Sequence, residues 1–279
     1  MRARALGWLV LALGACSKPE PPPVERKEPW LANPPDAAAA ISAKYVVSER
    51  CEAKVELKAK EATPRGTFRV CRGELTVNLS DLTASRGTLA VDVASIEIKG
   101  DGDAGRSDER SQDAQNWLDV GASRPEADRE RLRWAVFTIT SLTDASSPSA
   151  HAGRRERAEP DAEEPAALPE DDAGAERRAE RRSVTLTAKG HLLLHRVRVD
   201  VEVPIRVAFD YGARASADAL PERIALTTRR PVVVTLAAHD IKPRDSAGVF
   251  QAQGMKLIGT KVGADARVTL SATAALVKP

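Results

Sequence analysis

Between Ser183 and Tyr211 the chain takes turns between apolar and polar side chains. Val197, Val199, Val201, Val203, Ile205, Val207 and Phe209 are separated by Arg198, Asp200, Glu202, Pro204, Arg206 and Asp210. A period of two is what a strand with one wet face requires, because successive side chains leave a sheet on opposite sides. Val184, Leu186, Ala188, Gly190, Leu192 and Leu194 alternate in the same way with Thr185, Thr187, Lys189, His191 and His195. Two amphipathic strands joined by a tight turn at His195-Arg196 are therefore predicted. At about 3.3 Å per residue the later strand would reach roughly 40 Å, so the hairpin is expected to bend or coil around a core.

The same alternation recurs on both sides of this hairpin. Tyr45 to Ala59 and Gly66 to Leu79 predict a strand pair about a turn at Glu61 to Arg65. Leu89, Val91 and Val93 open a further strand whose parity shifts at Ala94-Ser95 before Ile96 and Ile98, the mark of a β-bulge. Trp117-Leu118-Asp119-Val120 closes a polar stretch and predicts a short helix or turn with Trp117 and Leu118 directed inward. Leu132 to Leu142, Ile224 to Thr228, Val232 to Ala238, a segment around Met255 to Thr260, and a last strand with Val268, Leu270, Ala272, Ala274 and Leu276 complete the set. Strands joined by short turns point to an all-β antiparallel barrel of about eight strands spanning residues 44–277.

Two stretches lack the pattern. Residues 16–43 carry Pro19, Pro21, Pro22, Pro23, Pro29, Pro34 and Pro35, which hold the backbone extended and read as a tether. Asp144 to Arg182 has Leu168 as its one large aliphatic residue amid charged runs, Ala and Pro. Too little apolar surface is present there to offset ordering, so residues 144–182 are expected to be a disordered insertion in a strand connection.

The start of the chain carries an address. Arg2 and Arg4 precede an apolar run from Ala5 to Leu13 that is too short to span a bilayer, so residues 1–15 read as a signal peptide. Leu13-Gly14-Ala15-Cys16 resembles the lipobox of bacterial lipoproteins, which implies lipidation of Cys16 and a membrane anchor. The alternative is a chance cysteine in an ordinary signal peptide. Removing residues 1–15 takes away Arg2 and Arg4, so the 42 basic residues become 40 against 40 acidic ones. A formally neutral chain has no general electrostatic pull towards nucleic acid, which excludes that partner class. The implied location is a bacterial membrane, facing the periplasm or cell exterior.

Two cysteines remain, Cys51 and Cys71. An even pair in an oxidising compartment favours a disulfide, and both share the parity of the apolar positions of their strands. Two buried free thiols are the alternative. The four histidines suggest no catalytic centre. His191 and His195, four residues apart on a polar strand face, are expected at the surface, roughly 13 Å apart and beyond shared metal coordination. His239-Asp240 is expected to end a strand with its two side chains on opposite faces. Asp101 and Asp103 resemble the start of a calcium loop, but Gln112 stands where a glutamate is needed. No Walker loop, dinucleotide fingerprint or zinc spacing occurs, so neither an enzyme nor a cofactor is expected.

Gly190-His191-Leu192-Leu193-Leu194-His195-Arg196-Val197, followed by Val201, resembles the characteristic hairpin of the YceI-like family of exported lipocalin-like proteins. Gly66-Thr67-Phe68, Val91 to Ile96 and Trp117-Leu118-Asp119-Val120 resemble further motifs of that family, in the same order. The resemblance implies an eight-stranded lipocalin-like barrel around an elongated apolar cavity that can hold an isoprenoid chain or other long lipid. The departures are Arg196 in place of the turn glycine, the charged stretch Glu126 to Arg133, and the insertion. Candidate lining residues are Leu75, Val77, Leu89, Val91, Val93, Trp134, Val136, Leu192, Leu194, Val199, Val201 and Val203. Small barrels either hold one ligand or fill with side chains. The two expectations are therefore a lipid-anchored isoprenoid- or lipid-binding protein, and a ligand-free structural or adaptor lipoprotein whose protein partner the sequence does not identify.

Overall fold

Nearly every alternating segment becomes a strand. The computed structural model describes residues 41–59, 63–99, 104–156, 180–212, 219–242, 256–257 and 260–278. In chain order the elements are β1 (Ser42–Ala59), β2 (Arg65–Phe68), β3 (Cys71–Asn78), β4 (Arg86–Asp92), β5 (Glu97–Lys99), α1 (Ala104–Trp117), α2 (Glu126–Leu132), β6 (Trp134–Thr143), β7 (Arg154–Glu156), β8 (Glu180–Leu194), β9 (Val197–Tyr211), β10 (Arg223–Thr228), β11 (Val232–Thr235), β12 (Lys256–Leu257) and β13 (Thr260–Leu276). The hairpin β8–β9 is paired without interruption from Leu194↔Val197 to Glu180↔Tyr211. Its turn places His195 at φ 51° and Arg196 at φ 67°, the left-handed pair that a two-residue hairpin needs and that Asn-Gly ordinarily supplies.

Among the described residues eight strands close into an antiparallel ring: β1, β3, β4, β6, β8, β9, β10 and β13, with β13 returning to β1. Closure gives each strand of the ring a paired neighbour on both sides, while β5 and β11, outside the ring, have one paired neighbour each. The ring is lopsided. β1 pairs with β3 at Ser42 to Val46 and then with β2 at Ala53 to Glu56. β13 pairs with β10 at Ser271 to Ala275 and with β11 at Asp265 to Val268. One end is thus a tight ring, and the other is widened by β2, β5 and β11.

Cys51 lies where β1 changes partner, and its sulfur is bonded to Cys71 at the first residue of β3, with the Cα atoms 5.8 Å apart. The predicted disulfide is present. It fastens β1 to β3 just where the hydrogen-bonded ladder between them has ended.

The interior is divided in the same way as the ring. At the tight end Tyr45, Val47, Leu75, Val77, Leu79, Val207, Phe209 and Ile224 form one buried cluster. At the wide end Val55, Val93, Ile98, Trp117, Leu194, Leu236 and Ile241 belong to another. Tyr45 is fully buried with its hydroxyl donating to the Pro221 carbonyl at 3.0 Å, and Tyr211 is buried in the same cluster. Burial raises both phenols above their ordinary value, Tyr211 to about 12. The unfolded chain releases these protons first, so their contribution is intact below about pH 10. It is lost as pH climbs through about 12, where Tyr211 titrates in the folded state. Unfolding free energy should therefore fall above about pH 10 by up to ~1.4 kcal/mol per pH unit for each phenol. Urea titrations across that range check this: the Tyr45→Phe/Tyr211→Phe variant should lose most of the slope, and an unchanged slope refutes the assignment.

Three expectations need correction. The parity shift at Ala94-Ser95 is a one-turn 3₁₀ helix, Val93–Ser95, and not a bulge. Asp92 causes it: its Oδ1 accepts from the Ala94 N–H at 3.0 Å and its Oδ2 holds Arg133 Nε at 2.8 Å, so the chain leaves β4 and joins β2 as β5. His239 closes another 3₁₀ turn, Leu236–His239, and does not end a strand. The stretch 144–182 is structured at both ends, since β7 pairs with the first residues of β8. Backbone bonds from Leu82 N–H to the Pro148 carbonyl and from Ala150 N–H to the Leu79 carbonyl, both 2.9 Å, dock residues 148–150 on the tight end. Ala150 is buried in the tight-end cluster, but one small residue among serines leaves no periodicity to read. Residues 157–179, the signal peptide, Cys16, the proline tether up to residue 40, and the Asp101 and Asp103 loop lie outside the described residues.

Candidate binding cavity

At the wide end the apolar side chains do not meet. They surround a cavity of about 210 Å³. β1 contributes Ala53, Val55 and Leu57, β4 contributes Leu89 and Val91, β6 Ala135 and Phe137, β8 Leu192 and Leu194, β9 Val201 and Val203, and β13 Ala266, Val268 and Leu270. These are alternate positions on each strand, as inward-facing residues of a barrel must be. Val93, Trp117, Leu118, Leu236 and Ile241 close the end. Among the described lining residues Thr228 carries the one hydroxyl, and none is charged.

The cap is held by polar contacts, since α1 itself is largely polar. The Ile98 N–H donates to Ser111 Oγ at 2.8 Å and Gln115 Nε2 donates to the Ala94 carbonyl at 3.0 Å, which turns Trp117 inward and leaves it 3% exposed. After the helix Asp119, at φ 56°, accepts from Arg124 Nε at 3.0 Å. Its other carboxylate oxygen lies 3.0 Å from His195 Nε2, and His195 Nδ1 lies 3.1 Å from the His239 carbonyl. His239 Nδ1 in turn lies 3.3 Å from the Leu194 carbonyl. The hairpin turn, the exit of α1 and the Leu236–His239 turn are thereby latched together over the cavity.

His195 is therefore not the surface histidine expected from strand parity: the left-handed turn folds it inward. His191 stays on the outer face, beside Asp200. Among the described residues no group of three or more His, Cys, Asp and Glu side chains converges. A larger depression, about 640 Å³, lies among Glu156, Arg181, Arg206 and Arg229, but Arg206 is already paired with Glu156.

Of the candidate lining residues, Leu89, Val91, Val93, Leu192, Leu194, Val201 and Val203 lie on the cavity wall. Leu75 and Val77 belong to the filled cluster at the tight end. Val199 stands opposite Leu192 but is not part of the wall. Trp134 and Val136 are on the outer face, because their neighbours Ala135 and Phe137 point in. From Trp134 to Phe137 every residue is apolar, so the sequence there has no parity. Arg72 covers the Trp134 ring outside, its guanidinium carbon 3.8 Å from the centroid, which gives an outward-facing indole a cationic neighbour. The wall residues of β1 and β13 are not among those candidates, although Val55, Leu57, Val268 and Leu270 carry the same alternation.

The cavity can hold hydrocarbon and little else. A polar or charged group placed there would lose water and find almost no hydrogen-bond partner, at a cost of several kcal/mol. A methylene moved in from water gains about 0.8 kcal/mol.

The family described as YceI-like domain matches residues 45–274. No curated protein sequence matches. Among solved structures, a polyisoprenoid binding domain from Saccharophagus degradans implicated in plant cell wall breakdown is 13% identical, with a TM-score of 0.45 over 84% of this chain and 99% of its own. Burkholderia cenocepacia BcnA is 11% identical, with a TM-score of 0.44 over 81% of this chain and 98% of its own.

Proposed function

The chain belongs to the YceI-like domain family, and from that premise we propose that it is an exported, lipid-anchored binding protein that shelters an apolar chain, isoprenoid or other lipid, inside its barrel. The observation that carries this reading is a cavity of about 210 Å³ walled by apolar side chains, none of the described lining residues being charged. A site built for catalysis would need polar groups aimed at the reacting atoms. This one offers an apolar space shaped largely by valine and leucine.

Anchoring rests on the Leu13-Gly14-Ala15-Cys16 resemblance and on the prolines that follow it. Acyl groups at Cys16 would hold the barrel near a membrane, where apolar ligands are found, and an extended tether would let it reach away from the surface. Protein purified without its anchor should yield, on organic extraction and mass spectrometry, an apolar molecule in near-stoichiometric amount. Absence of any such molecule, together with failure to bind polyprenyl or acyl probes, would leave a ligand-free structural role.

A further inference from the structure

The cavity stops partway along the barrel, and the stop is made by side chains that belong to both halves of the interior. Leu89, Phe137 and Leu270 line the cavity and also pack in the filled cluster at the tight end. Beyond them the bore is occupied by Tyr45, Phe209, Leu79 and Ile224, all less than 2% exposed. Resting on the binding function proposed above, we propose that Leu89, Phe137 and Leu270 form a shelf that makes the barrel selective for chain length, admitting a hydrocarbon segment of about eight carbons, acyl or prenyl. The size follows by proportion: a dry cavity of about 150 Å³ takes one benzene, six carbons, and this cavity measures about 210 Å³.

The shelf has a backbone cause. Gly190 of β8 lies beside Phe137, and a Cβ at that position would come within 2.9 Å of Phe137 Cε2. A larger residue would therefore displace the ring from its place beside the cavity. Tyr45 holds the other side of the stop, because its hydroxyl is committed to the Pro221 carbonyl. The cavity cannot deepen by a rotamer change at Tyr45 without leaving both groups unpaired in the interior.

Equilibrium dialysis of the full chain against n-alkanols from hexanol to tetradecanol reads this directly. Affinity should rise about fourfold per methylene while the added carbon is buried and level off near octanol or nonanol. In Phe137→Ala, and separately in Leu270→Ala, the levelling point should move to a longer alcohol by several carbons. A rise that continues unbroken to tetradecanol in the native protein overturns the shelf, as does a levelling point that stays put in both variants when their thermal unfolding is still cooperative. Binding of none of the alcohols would overturn the cavity-binding function and the shelf with it, whereas either of the first two results removes the shelf alone.

Discussion

Replacing Gly190 by alanine should destabilise the barrel by about 3 kcal/mol, at the upper end of what overpacking costs, and lower Tm by roughly 6–12 °C. Gly190 sits mid-strand in β8, opposite Ile139 of β6 on one side and Val201 of β9 on the other. An added Cβ would overlap the Thr138 carbonyl oxygen and crowd Phe137. A backbone carbonyl in a paired ladder cannot swing aside, so β6 and β8 would have to part along several hydrogen bonds. Gly212→Ala is the matched control. There the atoms nearest to an added Cβ are those of the Glu222 carboxylate, the far end of a flexible side chain, so the cost should stay below about 1 kcal/mol. Urea unfolding of the two variants separates the cases, and equal losses would show that the strand contact is not what Gly190 protects.

Removing the Cys51–Cys71 bridge should cost about as much. The bridge closes a loop of 20 residues, and the loop-closure entropy it removes from the unfolded chain corresponds to about 3 kcal/mol. The Cys51→Ala/Cys71→Ala variant, or the native chain under reductant, should therefore unfold at clearly lower urea. The location of the bridge adds a second expectation. It secures β1 at its change of partner from β3 to β2, so amide exchange should quicken in β2 and β5 more than in the β8–β9 hairpin. Identical urea midpoints with and without reductant would contradict the entropic argument. Uniform exchange would contradict the structural one.

What the sequence disclosed followed from how each segment is solvated. The β8–β9 hairpin was legible because one face is wet and the other dry, which forces a period of two. The cysteine pair was legible because both residues share the parity of the apolar positions of their strands. Trp134 to Phe137 was not, since an arginine side chain lying over an outward-facing indole lets the outer face look as apolar as the inner one. Residues 148–150 were lost for a different reason: main-chain bonds and one buried alanine hold them, and main-chain bonds are silent in the pattern of side chains. His195 was misplaced because a two-residue turn in left-handed geometry reverses the direction that strand parity assigns. The cavity residues were partly legible, as seven of the candidates are on its wall. Its depth was not, because depth depends on how far Tyr45 and Phe137 reach across the bore, and alternation says nothing of reach.

Pairing of β13 with β1 joins the first described strand to the last, Tyr45 opposite Leu276. Contacts between positions so far apart in the chain raise the contact order, and folding of such topologies is slow. During synthesis β1 has no permanent neighbour on that side until β13 has been made, so the nascent sheet carries a bare flank until then. Loss of β13 would therefore leave an open ribbon, prone to pairing with another copy of itself, instead of a slightly smaller vessel.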